Sequence, residues 1–337
     1  MKKLRVGILG GTGIIGQQYV QLLQNHPWFE VSFIAASLQS QNRLYSEFLP
    51  LKIHSIEAIS EAKKECDFLF SALPNEVALL YEPLFAEADL PLFSHAACHR
   101  KDPLIPLLIP EINSPHLKIL PIQQQKRGWK KGFIVSKPTC AIQSFMLPLA
   151  PLHTLFEIQT LSVTTLQAIS GAGATLSSHA IFDNIIPFIQ GEEEKIEQEP
   201  LKIFGKIEKE ECISHPNMTI SASCNRVPVL HGHLACVSVS FKEKPDIETI
   251  LKIWNHSPSL NLPSSPQKLV IYDSQVDRPQ VRLDRDSQGG MSATVGRLRP
   301  CPLFHYRFHA LSHNTIRGGA GGGILTAELL YKEGYLG

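Results

Sequence analysis

The sequence predicts an α/β protein: an N-terminal Rossmann dinucleotide-binding domain, a central α/β domain with a mixed sheet, and a C-terminal helix returning to the first domain. Three observations carry this. Short apolar runs alternate with helical runs over the first hundred residues, as parallel βαβ units require. A glycine cluster follows the first apolar run and opens a helical one. After Cys140 the β-branched runs are longer and alternate, as in an antiparallel or mixed sheet. At 337 residues the chain is long for one core, so two domains are expected. The expected boundaries are 1–138 for the dinucleotide domain, completed by 315–337, and 139–314 for a catalytic and dimerisation domain.

In order, LRVGIL reads as a short buried strand that ends in GGTGIIG and passes into the helical run QQYVQLLQNH. EVSFIAAS, DFLFSA and PLFSHA are further strands, with NEVALLYEPLFAEA a helix between the last two. Residues 100–138 are rich in proline and lysine and end in the strand-like GFIVS. IQTLSVTTLQAIS and HLACVSVSFKEK are the long strands of the second domain, while SSHAIFDNIIPFI and IETILKIWNH have helical patterns. GGAGGGILTAELLYKEG is a glycine-rich start to an amphipathic helix. The acidic run GEEEKIEQE reads as a helix whose Glu192, Glu193 and Glu194 form a solvated face.

Composition excludes several function classes. The chain is 43% hydrophobic and 19% charged with a net charge of +1, so it has no electrostatic footprint for nucleic acid. The seven cysteines are an odd number and form no C-x-x-C pair, which suits a reducing cytoplasm rather than a disulfide framework or structural zinc. MKKLRVGILGGTG lacks the apolar stretch of a signal peptide, and PLIPLLIP is short and broken by prolines. A membrane span is not expected. His95, Cys98 and His99 have no evident fourth ligand and no zinc spacing, so no metal is expected.

Gly11-x-Gly13-x-x-Gly16 sits after a strand and before a helix, the context that a dinucleotide fingerprint needs. Glycines let the backbone approach a pyrophosphate, whose charge meets free N–H groups at the helix start. Gly10, Thr12, Ile14 and Ile15 complete the candidate loop. An NAD-selective site places a carboxylate about 20 residues on, against the ribose hydroxyl. Here the second strand ends Ala35-Ala36-Ser37, followed by Ser40 and Arg43, which suit a 2′-phosphate. NADP is therefore the expected cofactor. Ser71, at the end of a later strand, is a further candidate contact.

Cys140 lies just past a Pro-Thr corner and opens the apolar run AIQSFMLPLA. A thiol at a helix start meets the positive end of the peptide dipoles, which favours the attacking thiolate. Alone it reads as a buried small residue. LQAISGAG adds an amide, Gln167, before a glycine turn, and CNRVPVLHGH sets Arg226 seven residues before His233. Cysteine, histidine and a nicotinamide cofactor together suit acyl-transfer redox chemistry, with the imidazole handling protons.

VGILGGTGIIGQ, PLLIPEIN, TCAIQ, LQAISGAGA, FDNIIPFIQGEEEKIEQEPLKIFG, CNRVPVLHGH, RPQVRLDRDSQGGMSATVGRLR and LSHNTIRGGAGGGILTAELL together resemble the aspartate-semialdehyde dehydrogenases, in the branch of archaea, fungi and some bacteria. The likeness runs from residue 6 to about 330. It implies Cys140 as nucleophile, His233 as acid–base residue and Gln167 as the amide orienting the thioester. Arg226 matches the arginine gripping the α-carboxylate, a task for a planar two-pronged donor. Glu199 matches the carboxylate reading the amino group, and Lys202 with Arg100 the phosphate contacts. Asn314 falls in the stretch beside the nicotinamide, and Ser170 and Gly171 are further cofactor-binding candidates. The resemblance implies reduction of L-4-aspartyl phosphate to L-aspartate 4-semialdehyde, a step toward diaminopimelate, lysine, threonine and methionine, by a homodimer or homotetramer. N-acetyl-glutamyl-phosphate or malonyl-CoA reduction, or a silent dinucleotide-binding homologue, are the alternatives.

The chain departs from the family pattern N-P-N-C-S/T. It has Lys137-Pro138-Thr139-Cys140-Ala141, in which Thr139 offers one hydrogen bond in place of the missing amide. Gln39 stands where relatives often carry an arginine for the 2′-phosphate.

Overall fold

The computed structural model describes residues 2–37, 44–46, 49–175, 181–208, 212–214, 217–257 and 259–337. Six short strands, β1 (Leu4–Leu9), β2 (Phe29–Ala36), β3 (Ile53–Ser55), β4 (Phe68–Ser71), β5 (Leu92–Ser94) and β6 (Ile134–Ser136), form one sheet in the order β3-β2-β1-β4-β5-β6. Every pairing in it is parallel. The strands read as unbroken apolar runs because both faces are covered. Val6, Ile8, Phe68 and Phe70 face one core, while Leu9, Leu69 and Leu92 face another with Phe85. Each fully buried phenylalanine contributes about 2 kcal/mol.

The terminal helix Ala320–Lys332 completes this first unit. Its Ile324, Leu325 and Leu330 enter the core formed by Val6, Ile8 and Tyr19. Strand order reverses at β1 and β4, and ligands of open α/β sheets bind beyond the carboxyl ends of the strands at such a point.

The second sheet has the order β10-β7-β11-β14-β13-β12. Its strands are β7 (Ile158–Gln167), β10 (Thr219–Arg226), β11 (His233–Phe241), β12 (Val270–Asp273), β13 (Ala293–Pro300) and β14 (Tyr306–Ser312). β10–β7 and β12–β13 are parallel and the other pairs antiparallel. Val163, Val237, Val239 and Phe308 pack one face against Phe145 and Met146 of the helix Ile142–Phe156 and Trp254 of the helix Ile247–Asn255. The opposite face pairs Thr164 with Cys236, Ser162 with Ser238 and Thr160 with Ser240, all half-buried. β8 (Lys206–Glu208) and β9 (Cys212–Ser214) make a separate antiparallel pair.

The acidic run is a helix, Glu192–Ile203, but not a solvated one. Glu193 accepts from the Cys224 N–H and Glu197 from the Ala222 N–H, each at 3.0 Å. Four residues of helix advance about 6 Å and two of strand about 6.6 Å, so the carboxylates cap alternate amides of edge strand β10. Glu192 is buried too, and the expectation of an exposed acidic face fails for all but its outermost residues. The helical expectation for SSHAIFDNIIPFI also fails beyond Ile181, the first described residue of the run and a helical one. Asp183 takes a positive φ of 52°, Pro187 follows, and Ile186 instead exchanges backbone hydrogen bonds with Arg226.

Candidate functional site

A cavity of about 800 Å³ opens where the carboxyl end of the first sheet meets the second. Thr12, Gly13, Ile14 and Ile15 line one end, Cys140 and Gln167 the middle, and Glu192, Lys195 and Arg226 the far wall. The glycine loop is built for close approach. A Cβ on Gly16 would lie 2.2 Å from the Gly10 carbonyl oxygen, and one on Gly11 would lie 2.5 Å from Ile34 Cγ2. Gly10 has a φ of +78°, which favours glycine. Gly13 caps the helix Ile14–Leu23 without a side chain in the way. Gly10, Gly11 and Gly16 thus shape the turn, while Thr12, Gly13, Ile14 and Ile15 face the cavity.

Two cofactor candidates sit differently from expectation. Ser71 is fully buried at the end of β4 with an unpartnered hydroxyl, and its neighbour Ala72 lines the cavity instead. A one-residue step along a strand reverses the side chain's face, which accounts for the exchange. Ser37 is exposed just after β2; Ser40 and Arg43, with Gln39, lie outside the described residues. At the other end, Asn314 accepts from the Gly232 N–H at 2.8 Å and donates to Ser170 Oγ at 2.9 Å. Asn314, Ser170 and Gly171 line the cavity with Cys140.

Cys140 Sγ lies 3.2 Å from His233 Nε2. Strand β6 delivers the Pro-Thr corner, and Cys140 precedes the helix Ile142–Phe156. His233 opens β11, paired through Leu234 with Leu166 of β7. The Ala168 N–H donates to His233 Nδ1 at 3.0 Å, and Arg226 Nη1 donates to the Ala168 carbonyl at 2.7 Å. The backbone of one residue, Ala168, therefore orients both side chains. Since Nδ1 accepts, the neutral ring carries its proton on Nε2, which points at the sulfur. A Cβ on Gly171 would lie 3.1 Å from Arg226 Nη1 and 3.2 Å from His233 Nε2; glycine leaves that space open.

Burial pushes the Cys140 thiol up to about 11; Glu192 adds to this, against Arg100, Lys137 and Arg226. The expected dipole effect does not prevail, because desolvation penalises the thiolate more. Burial also pushes His233 down to about 3, with Glu192 raising it and Arg226 lowering it. The placed ring is therefore neutral, with its Nε2–H directed at the sulfur. Burial would raise the Glu192 carboxyl, but Lys195 and the Thr139 hydroxyl more than offset it and hold it below its usual range.

Thr139 Oγ1 donates to Glu192 Oε1 at 2.9 Å, and Lys195 Nζ lies 3.1 Å from Glu192 Oε2. Gln167, in turn, sits 3.4 Å from Glu192 Oε1. The acid and base facing the cavity are Glu192 and Lys195, one helical turn apart. Glu199 and Lys202 do not line it. Glu199 accepts from the Thr139 N–H at 2.6 Å and from Arg100 Nη1 at 2.7 Å. Lys202 spends its three N–H bonds on the carbonyls of Arg100, Asp102 and Ile105, at 2.7, 2.7 and 2.9 Å. Both sit behind the site and hold its wall. Arg100 does reach the cavity, with Nη2 donating to the His95 carbonyl at 2.9 Å.

Sequence reasoning missed Arg317 and Glu111 as well. Arg317 is 1% exposed and donates twice to Glu111, at 2.7 and 2.6 Å, and once to Gln143 at 3.1 Å. This lock holds the 313–319 turn so that Gly318 abuts Cys140. PEIN and NTIRGG carried the signal, as polar residues inside otherwise apolar or glycine-rich stretches. Among the described residues no cluster of His, Cys, Asp or Glu could hold a metal ion. Among them, no helix is long and apolar enough to cross a membrane.

The chain matches two family models: "Semialdehyde dehydrogenase, NAD binding domain" over residues 5–120 and "Semialdehyde dehydrogenase, dimerisation domain" over 149–317. An aspartate-semialdehyde dehydrogenase of Archaeoglobus fulgidus is 42% identical, across 97% of this chain and 98% of that protein. One of Saccharomyces cerevisiae is 38% identical, across 96% of each. The crystal structure of the Candida albicans enzyme with NADP superposes at a TM-score of 0.90 and 35% identity, covering 99% of this chain and 100% of the other. A Vibrio cholerae enzyme complexed with ASA shares the fold at a TM-score of 0.83 and 23% identity, over 99% of each.

Proposed function

The chain belongs to the aspartate-semialdehyde dehydrogenase family, and on that premise we propose how the residues of its cavity divide the work. The reaction is the NADP-dependent, reversible conversion of L-4-aspartyl phosphate to L-aspartate 4-semialdehyde and phosphate, part of amino-acid biosynthesis. The observation that carries the assignment is Cys140 Sγ at 3.2 Å from His233 Nε2, in one cavity with a dinucleotide loop and four charged side chains of both signs, Arg100, Glu192, Lys195 and Arg226.

The glycine cradle fits the cofactor: an added Cβ at Gly16 would collide with the loop itself, and one at Gly11 with Ile34 of β2. Gly11, Thr12, Gly13, Ile14 and Ile15 would hold the pyrophosphate, Ser37 the 2′-phosphate side, and Ser170, Gly171 and Asn314 the nicotinamide. When bound, NADPH supplies the hydride. Arg226 binds the α-carboxylate, Glu192 the ammonium, and Lys195 with Arg100 the phosphate. Cys140 thiolate attacks the acyl carbon, phosphate leaves, and a thioester forms on sulfur. After reduction, the tetrahedral oxyanion expels the thiolate and the aldehyde departs. His233 serves as a fixed Nε2–H donor, to the sulfur at rest and to the oxyanion in both tetrahedral species. Gln167 supports the thioester.

The domain division follows the same reading, with 1–138 and 315–337 binding the dinucleotide and 139–314 carrying catalysis. The half-buried hydroxyl face of β7 and β11 is the surface through which we expect two copies to pair as a homodimer, in the cytoplasm. Sedimentation at twice the chain mass checks the dimer; four times would mean a tetramer.

Phosphate-dependent NADPH formation from the semialdehyde tests the function, with N-acetyl-glutamyl and malonyl substrates as comparison arms. Lys195→Met is expected to raise KM for phosphate by about tenfold or more, the loss of a charged hydrogen bond. Lys202→Met should leave that KM nearly unchanged and lower Tm, because three buried carbonyls lose their donor. The reverse pattern restores Lys202 to the phosphate site.

A further inference from the structure

We propose that Lys137 is the buried counter-charge for the Cys140 thiolate, a positioning residue that acts on the reaction through the nucleophile. This rests on the reading that Cys140 attacks the substrate. Lys137 precedes Cys140 by three residues, across the Pro138-Thr139 corner, and is only 7% exposed. Its ammonium donates to the Arg317 carbonyl at 3.0 Å. Cys140 and Lys137 press on one glycine-rich stretch, the turn at Gly318 and the first turn of the helix Ala320–Lys332. A Cβ on Gly318 would lie 2.6 Å from Cys140 Cβ, and one on Gly322 would lie 2.8 Å from Lys137 Nζ.

The cations around the sulfur differ in what they already hold. Arg100 is paired with Glu199 at 2.7 Å, and Lys195 with Glu192 at 3.1 Å. Arg226 is held by the Ala168 carbonyl and faces the cavity, where the substrate carboxylate takes it up. Lys137 forms no ion pair with a carboxylate among the described residues. A buried ammonium left without an anion is costly, and the cost is recovered when a negative charge forms beside it. Thiolate at Cys140 is such a charge.

Several titratable groups face this pair. Arg317, Glu111, Arg100, His95 and Cys140 act on or are acted on by Lys137, and Tyr19 lies beside it with its hydroxyl 2.6 Å from His95 Nε2. His233, Glu192, Arg100 and Arg226 surround Cys140 with it. Burial, with Arg317 beside it, lowers Lys137 to about 7, and Cys140 pulls it back up. The two ionisations are therefore reciprocal: thiolate formation favours the ammonium, and the ammonium favours the thiolate.

The test is the pH dependence of Cys140 alkylation by iodoacetamide in the full chain without substrate, read by mass spectrometry of the modified peptide. Lys137→Met and Lys137→Gln are expected to move the inflection up by about one pH unit or more and to slow labelling at neutral pH by about tenfold. Lys137→Arg should stay near wild type. In turnover, kcat falls in the two neutral variants while KM for the semialdehyde stays within about twofold. An inflection unmoved in either folded neutral variant overturns the proposal. Labelling needs no substrate, so a shifted inflection in a chain that fails to turn over the semialdehyde refutes the substrate reading and leaves the counter-charge standing.

Discussion

Cys140→Ser is expected to abolish phosphate-dependent NADPH formation, lowering kcat by on the order of 10⁴-fold or more. Serine keeps the shape and loses the chemistry. Its hydroxyl ionises far above the range in which even this buried thiol does, and an oxygen ester is a different intermediate from a thioester. The neighbours that restrain the site do not bond to the sulfur: Thr139 is held through Glu192 and Glu199, and Arg317 through Glu111. Tm and dinucleotide binding should accordingly stay near wild type. Retention of a tenth of the wild-type rate would remove covalent catalysis from the reading, and unchanged alkylation of some other thiol in parallel with activity would point to the true nucleophile.

Much of the fold was legible because its cause is local. Buried parallel strands need unbroken apolar runs, and LRVGIL and DFLFSA supplied them; the glycine loop needed its three glycines in series. The second sheet's alternation showed equally well in IQTLSVTTLQAIS. What sequence could not resolve was register at the site. E-x-x-K occurs twice on the 192–203 helix, at Glu192/Lys195 and Glu199/Lys202. The two pairs start seven residues apart, so they share a helix face. Only the tilt of that helix across β10, set by Glu193 and Glu197 on alternate amides, decides which pair meets the cavity. The same limit applies to Ser71 and Ala72, where one residue separates a buried hydroxyl from a cavity wall.

The electrostatics of Cys140 were beyond sequence for a different reason. A helix start favours thiolate in general, but desolvation is a property of the assembled site, and here it wins. Charges distant in sequence then set the balance: Arg100, Lys137 and Arg226 against Glu192. The departure Lys137-Pro138-Thr139 shows how substitutions can shift support without removing it. Thr139 donates to Glu192 with its hydroxyl and to Glu199 with its amide, and so ties the Cys140 turn to the helix that carries Glu192 and Lys195.

His233→Ala is expected to lower kcat by about 10²–10³-fold, and His233→Gln, which can still present an N–H, by less. The pH profile separates two roles for the ring. A resident base would need Nε2 unprotonated, which puts the neutral ring's single proton on Nδ1, against the Ala168 N–H. The ring as placed accepts that N–H at 3.0 Å and titrates near 3 rather than 6.5. It is therefore neutral throughout the neutral range, and protonation would disarm it only in strong acid. In wild type, kcat/KM should rise with pH as the thiol ionises, with no inflection near the usual histidine range that His233→Gln abolishes. Loss of such an inflection in the glutamine variant would show that the ring exchanges protons during turnover, and that the Ala168 contact opens to let it.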